Sequence, residues 1–468
     1  MDFTMRRMLL SAIVLAMVLS AISCGSDSDS WSDNDSVGGE SGERTIKMSV
    51  PDYMQYHMAY VAGEFKKIRP DVTIEFSVYD LYVGDYIGNW VRQAEKARLP
   101  YMTGKASPDD DDIVEAKFFS PLVYKDWMFV DLFEMMENDV DFDLGDYYTN
   151  VFDALAVNGK LYQFPLDIYY KFAGINSDAP KETIEKFKQY DAITYSELLD
   201  LYFSIPAKEG RYCSQYIDAS TVYNSNLYAF IDFENRTNEI DSPRFIELIS
   251  KAKNATDPEK VSKSQIGTTL VWNGYMQEAD IKEYAARYFF AVAYNTCYQS
   301  FIPQDRGEAF THFIPLLTEC GRIEIEPGNE RWSISASSGN KDIAWEFIKF
   351  MASPEANMER MEDVYQAQFV ANREFFRLRM PISIASYAKM FARQYDAPFH
   401  SFMDDLEGNT GRIVEMFDRY NMMPMVDIAW GSMPIDTGEI FRAYHFGSMT
   451  AEQVASELHN KVSIILIE

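Results

Sequence analysis

The stretch from Arg44 to Leu81, RTIKMSVPDYMQYHMAYVAGEFKKIRPDVTIEFSVYDL, leaves few folds open. Ile46, Met48 and Val50 alternate with polar neighbours, the period of a half-buried strand. Met58, Val61, Ala62, Phe65 and Ile68 then recur at helical spacing, and Pro70 stops that helix. Val72, Ile74 and Phe76 alternate again. Strand, helix and strand in succession predict two parallel strands joined by a right-handed crossover, and so an α/β fold.

Further helices announce themselves by their caps. Thr194-Tyr195-Ser196-Glu197 is a capping box ahead of Leu198 and Leu199. In GNKDIAWEFIKFMASPEA, Ile343, Ala344, Phe347, Ile348 and Met351 share one face, and the helix ends before Pro354. Thr450 and Gln453 form a second box, with Val454, Leu458, Val462 and Ile465 turned inward. Apolar residues make up 47% of the 468, which rules out global disorder and is enough for two or three domains.

The N-terminus has a different character. MDFTMRR carries Arg6 and Arg7, and sixteen uncharged residues follow, from Met8 to Ser23. A basic start and a short apolar run predict a secretory signal peptide over 1–23. The run is shorter than the roughly 20 residues a spanning helix needs. It ends in Ala21-Ile22-Ser23-Cys24, which resembles the lipobox of bacterial lipoproteins, with Ala21 where Leu is usual. That resemblance implies lipidation of Cys24 and anchoring to the outer face of a bacterial cell membrane. An ordinary signal, or an uncleaved anchor, is the alternative. Residues 24–44 are Ser, Asp and Gly-rich, with almost nothing to bury, and are expected to form a disordered tether with a reach of roughly 25 Å.

Charge and cysteine usage exclude several classes. With 72 acidic and 43 basic residues, net charge −29, the surface repels nucleic acid. Cys213, Cys297 and Cys320 remain if Cys24 carries lipid; three buried thiols, or a Cys297–Cys320 bridge, are the readings open. The five histidines lack metal-site spacing, and no cofactor motif is present. Asp139, Asp141 and Asp143 begin like a calcium loop, but Leu144 and Asn150 occupy the positions that need Gly and Glu. Asp109–Asp112 reads as a solvated turn entering a strand.

Ligands of open parallel sheets bind beyond the carboxyl ends of the strands. That rule selects Asp52, Tyr53 and Tyr56 after the first strand, Glu115 after DDIV, and Asn295 and Tyr298 after FFAVAY. It also selects Asp167, Tyr169, Arg331 and Trp332, and near the C-terminus Trp430. Aromatic rings beside carboxylates and amides suit a sugar, whose C–H faces stack on rings and whose hydroxyls bond the polar groups. Core packing is the competing role for each aromatic.

The order of segments resembles the extracellular solute-binding proteins of family 1, the sugar-type receptors of bacterial ABC importers. The resemblance spans the chain from about Arg44. It rests on NGKLYQFPLDIYYKFAGINSDAP, ITYSELLDLY, FIPLLTECGRIEIEPGNERWSISASSGNKDIAWEFIKFMASPE and EIFRAYHFGSMTAEQVASELHNKVSIILIE. It implies a two-lobed periplasmic-binding-protein-like fold of type II, with the ligand cleft between lobes. The first lobe would hold 45–166 and 333–380, the second 167–332 and 381–468. Tyr298 falls where the family places a stacking Trp. The segment near 82–107 is longer than the family usually shows.

The implied function is capture of a sugar or oligosaccharide and delivery to permease subunits, by a monomer without cofactor or catalysis. A binding protein for a peptide, a sensor subunit and a surface glycosidase are the other readings. The last needs two carboxylates flanking one bond, and no motif selects such a pair.

Overall fold

The opening strand–helix–strand unit folds as its periodicity requires. β1 (Arg44–Pro51) and β2 (Val72–Tyr79) pair in parallel from Arg44↔Val72 to Pro51↔Tyr79, with the Gln55–Ile68 helix as their crossover. The structure is a computed structural model. It describes residues 43–468 except 80–99, 102, 108, 117–123, 207, 209, 215–216, 233–234, 259–283, 295–308, 328–329, 354–355, 357–379, 385–418, 421, 425–436 and 468. The segments read above as signal peptide and tether, and the extra segment near 82–107, therefore fall wholly or largely outside the described residues. No described helix is long and apolar enough to cross a membrane.

Two further strands complete the first sheet with β3 (Ile113–Glu115), in the order β2-β1-β3-β12-β4. β4 (Phe164–Pro165) and β12 (Arg331–Ile334) come from distant parts of the chain. β3 is parallel to β1, whereas β12 is antiparallel to both β3 and β4. Ile46, Met48 and Val50 are fully buried, as are Met58, Val61 and Phe65 to within 2%. They form one core with Trp332, Ile334 and the Lys341–Ala352 helix, whose Ile343, Phe347 and Ile348 face inward. Ile68 is the exception: at the helix's last position it is 61% exposed, because the stripe drifts off the sheet as the helix ends.

The second sheet is built on β5 (Asp167–Asn176), long enough to pair along its length with several partners. β9 (Phe290–Tyr294) and β10 (Phe310–Leu317) pair with its second half. β11 (Ile323–Pro327) and β13 (Met380–Pro381) pair with its first. β6 (Ile193–Thr194) and β14 (Met422–Pro424) extend the sheet, and β7 (Ile231–Asp232) with β8 (Thr237–Asn238) forms a separate hairpin. Its helices carry the second core, in which Leu198, Val222, Phe245 and Leu248 meet Val454, Leu458 and Val462 of the C-terminal Ala451–Ile467 helix.

Both capping boxes close. Thr194 Oγ1 accepts from Glu197 N while Thr194 N donates to Glu197 Oε2, and Thr450 and Gln453 exchange the same pair of bonds. Inside the second sheet, Lys171 Nζ donates to Glu324 Oε2 (2.8 Å) and Ser225 Oγ (2.7 Å). Gly174 has no room for a side chain, since a Cβ there would run into the Phe313 ring.

The Asp109–Asp112 run differs from its sequence reading at its last residue, and Asp139 is engaged as well. Asp112 is 3% exposed and accepts from Lys47 N (2.9 Å) and Ser338 Oγ, so it fastens β1 instead of facing water. Asp139 accepts from Trp345 Nε1 (2.8 Å) and from Lys349 Nζ. Cys213 is buried and Cys320 exposed, against the expectation of three buried thiols; Cys297 is outside the described residues.

Candidate functional site

Because β1, β2 and β3 run the same way, Pro51, Tyr79 and Glu115 end at one edge of the first sheet. β12 begins at that edge and β4 ends there, since Arg331 pairs with Pro165 and Trp332 with both Phe164 and Glu115. Leu166 follows directly: its N–H donates to Glu330 O (2.9 Å) and its carbonyl accepts from Ile382 N (3.1 Å). Asp167 then opens β5 opposite Pro381, Ile168 pairs with Met380 and Pro327, and Tyr169 with Glu326. The chain at 165–168 thus lies beside Pro327, beside Glu330 and beside 380–382 where it leaves the first sheet for the second.

Polar side chains gather where these passages meet the strand ends. Asp52 lies in the single 3-10 turn, Asp52–Met54, that connects β1 to its helix, and it is half-buried. His57 sits in the first turn of that helix, 8% exposed, with Nδ1 3.9 Å from Glu330 Oε1. Tyr79 OH donates to Glu115 Oε2. Glu115, Asp167 and Glu330 are 3%, 1% and 2% exposed, while Arg331 and Tyr169 are half-buried. Carboxylates accept from hydroxyls and ammonium groups, the guanidinium donates in a planar fork, and the tyrosines do both.

The sequence-selected residues separate into groups. Asp52, Glu115, Asp167, Tyr169 and Arg331 come together at this edge. Trp332 is there too but has no exposed surface and packs in the first core; its Nε1 has no hydrogen-bond partner among the described residues. Tyr56 is 60% exposed. The side chain of Tyr53, and Asn295, Tyr298, Trp430 and Cys24 altogether, lie outside the described residues. Tyr79 went unselected. Tyr79 ends β2 at the carboxyl edge, so the strand-end rule applied to β2 would have found it.

Comparison with known proteins adds the following. The family model described as bacterial extracellular solute-binding protein matches residues 92–370, more than half of the chain. No curated protein matches the sequence significantly. The sugar-binding protein MalE of Xanthomonas citri is similar in structure, with a TM-score of 0.55 at 15% identity, over 91% of this chain and 98% of that one. A periplasmic oligogalacturonide-binding protein of Yersinia enterocolitica gives 0.53 at 15%, over 91% and 99%. An ABC substrate-binding protein of Listeria monocytogenes, solved in complex with cycloalternan, gives 0.51 at 15%, over 90% and 98%. At such identities the likeness is one of fold: two α/β lobes of the periplasmic-binding-protein type with a cleft between them.

Proposed function

The chain belongs to the bacterial extracellular solute-binding protein family, and on that premise we propose that it is the substrate-binding lipoprotein of an ABC importer, capturing a carbohydrate of oligosaccharide size and handing it to permease subunits. The observation that carries this reading is the convergence of three strand ends with the start of β12 and the chain at 165–168 on one polar edge. Asp52, Tyr53, Tyr56, Glu115, Asp167, Tyr169, Asn295, Tyr298, Arg331 and Trp430 supply the ligand contacts in this reading, with Trp332 as the packed support beneath Glu115. Tyr298 stacks on a sugar face. Lobe 1 holds 45–166 and 333–380, lobe 2 holds 167–332 and 381–468, and closure of the two traps the ligand. Binding and release are the whole of its chemistry. Cys24 carries the lipid, and 24–44 tether a monomeric body to the cell membrane.

A thermal-shift screen over mono- and oligosaccharides tests the ligand class. A sugar at 100 times its dissociation constant adds about 2.7 kcal/mol of stability. Turnover of the bound sugar would replace the receptor by a glycosidase, and no shift with any sugar would remove the carbohydrate reading. For the anchor, Cys24→Ala releases soluble, ligand-competent protein; retention in the membrane fraction assigns anchoring to an uncleaved helix.

A further inference from the structure

We propose that Tyr79 is a positioning residue of this site, holding the Glu115 carboxylate in the orientation in which it accepts the hydroxyls of a sugar. The proposal rests on the carbohydrate reading above and deepens it. β2, β1 and β3 lie side by side in that order and run in parallel. Tyr79 closes β2 opposite Pro51, the last residue of β1. Met48 pairs with Ile113, so Glu115, two residues on, stands level with Val50. One whole strand therefore separates Tyr79 from Glu115, a span of roughly 10 Å between the outer strands. Tyr79 OH nevertheless donates to Glu115 Oε2, so the two side chains meet at the end of β1, where the Asp52–Met54 turn begins.

Each side of this contact suits the role. Glu115 is 3% exposed, and a bond from a hydroxyl to a carboxylate is stronger in such surroundings than in open water. A glutamate side chain turns about three bonds, whereas a tyrosine turns about two and ends in a rigid ring. The phenol is thus the stiffer partner and fixes the more mobile one. Trp332 stands opposite Glu115 on β12, the strand on the far side of β3, and has no exposed surface. The carboxylate is therefore set between a fixed phenol and a packed indole. An acceptor oriented before the ligand arrives needs no further ordering on binding, and that preorganisation raises affinity.

Titration calorimetry on the full chain at pH 7 tests this, with maltotetraose, cellotetraose, mannotetraose, xylotetraose and tetragalacturonate as probes. Wild type, Tyr79→Phe, Glu115→Asp and the double variant are compared, and the ligand-free proteins are melted alongside. Tyr79→Phe removes one hydroxyl and keeps the ring, so affinity for the best probe should fall about tenfold while the melting temperature barely moves. Glu115→Asp keeps the charge but draws it back from the phenol, so adding Tyr79→Phe to it should weaken binding little further. An equal loss in both backgrounds makes Tyr79 an independent ligand contact and overturns the positioning role. A melting temperature that drops along with affinity makes the residue merely structural and overturns it too. Unchanged affinity in Tyr79→Phe removes this proposal alone, whereas silence of the wild type toward every probe removes the carbohydrate reading and the proposal with it.

Discussion

Lys171 on β5 and Glu324 on β11 form an ion pair, Nζ to Oε2 2.8 Å, with side chains only 9% and 4% exposed. Both strands lead directly into the connecting passages, so the pair fastens together the feet of two of them. Removing one partner strands a buried charge. Lys171→Met or Glu324→Leu alone should cost about 3–5 kcal/mol in urea unfolding, whereas the double replacement recovers most of that loss. A double variant as unstable as the worse single variant would show that the pair is not acting as a unit.

Asp139 makes stability depend on pH in acid. Burial pushes its carboxyl up, but the bonds from Lys349 and Trp345 outweigh this and leave it below the ordinary value. A depressed folded-state value means the contribution is fully present above about pH 4, the ordinary range of an unfolded Asp, and is lost as pH falls below it. The melting-temperature gap between wild type and Asp139→Asn should therefore be constant near neutrality and shrink as pH drops below about 4. A gap independent of pH would assign the effect to lost hydrogen bonding alone.

In the two-lobed reading proposed above, Asp167–Tyr170 and 328–335 are the hinges about which the lobes close on ligand. Small-angle scattering should show a smaller radius of gyration with a saturating sugar than without. An unchanged radius would require capture without domain motion.

Tyr298 offers a two-sided test. As a stacking ring it contributes roughly 1 kcal/mol beyond burial. Tyr298→Ala should then weaken binding about tenfold or more while leaving the melting temperature of the ligand-free protein nearly unchanged. The core alternative predicts the opposite, a stability loss of about 3–5 kcal/mol with affinity little altered.

What the sequence made legible follows from range of interaction. The β1–helix–β2 unit, the two capping boxes and the inward face of Lys341–Ala352 depend on residues a few positions apart, and periodicity reports them faithfully. Asp112 was misread because its partners, Lys47 and Ser338, lie 65 and 226 residues away; a run of four aspartates looks solvated until the chain closes around one of them. The site was half legible for the same reason. Strand-end geometry selects Asp52 and Glu115 locally, and topology extends the rule to Tyr79. The approach of His57 to Glu330, by contrast, exists only once β12 returns to the first sheet. Trp332 shows the converse, because nothing local distinguishes a ring at a cleft from one sealed beneath it.

That return of β12 also bears on how fast the molecule can be made. β3 meets its antiparallel neighbour only after roughly two hundred intervening residues have been threaded through the other sheet. Loop closure of that length must be completed before the pairing yields anything in return, which puts the chain among slow folders governed by non-local contacts. During synthesis the first sheet stays open on the β3 side until residues 331–334 emerge, leaving β1, β2 and their helix as a half-made layer with an apolar face and an unpaired edge. The same late return of chain therefore keeps the nascent protein's first layer unfinished until residues 331–334 have been made.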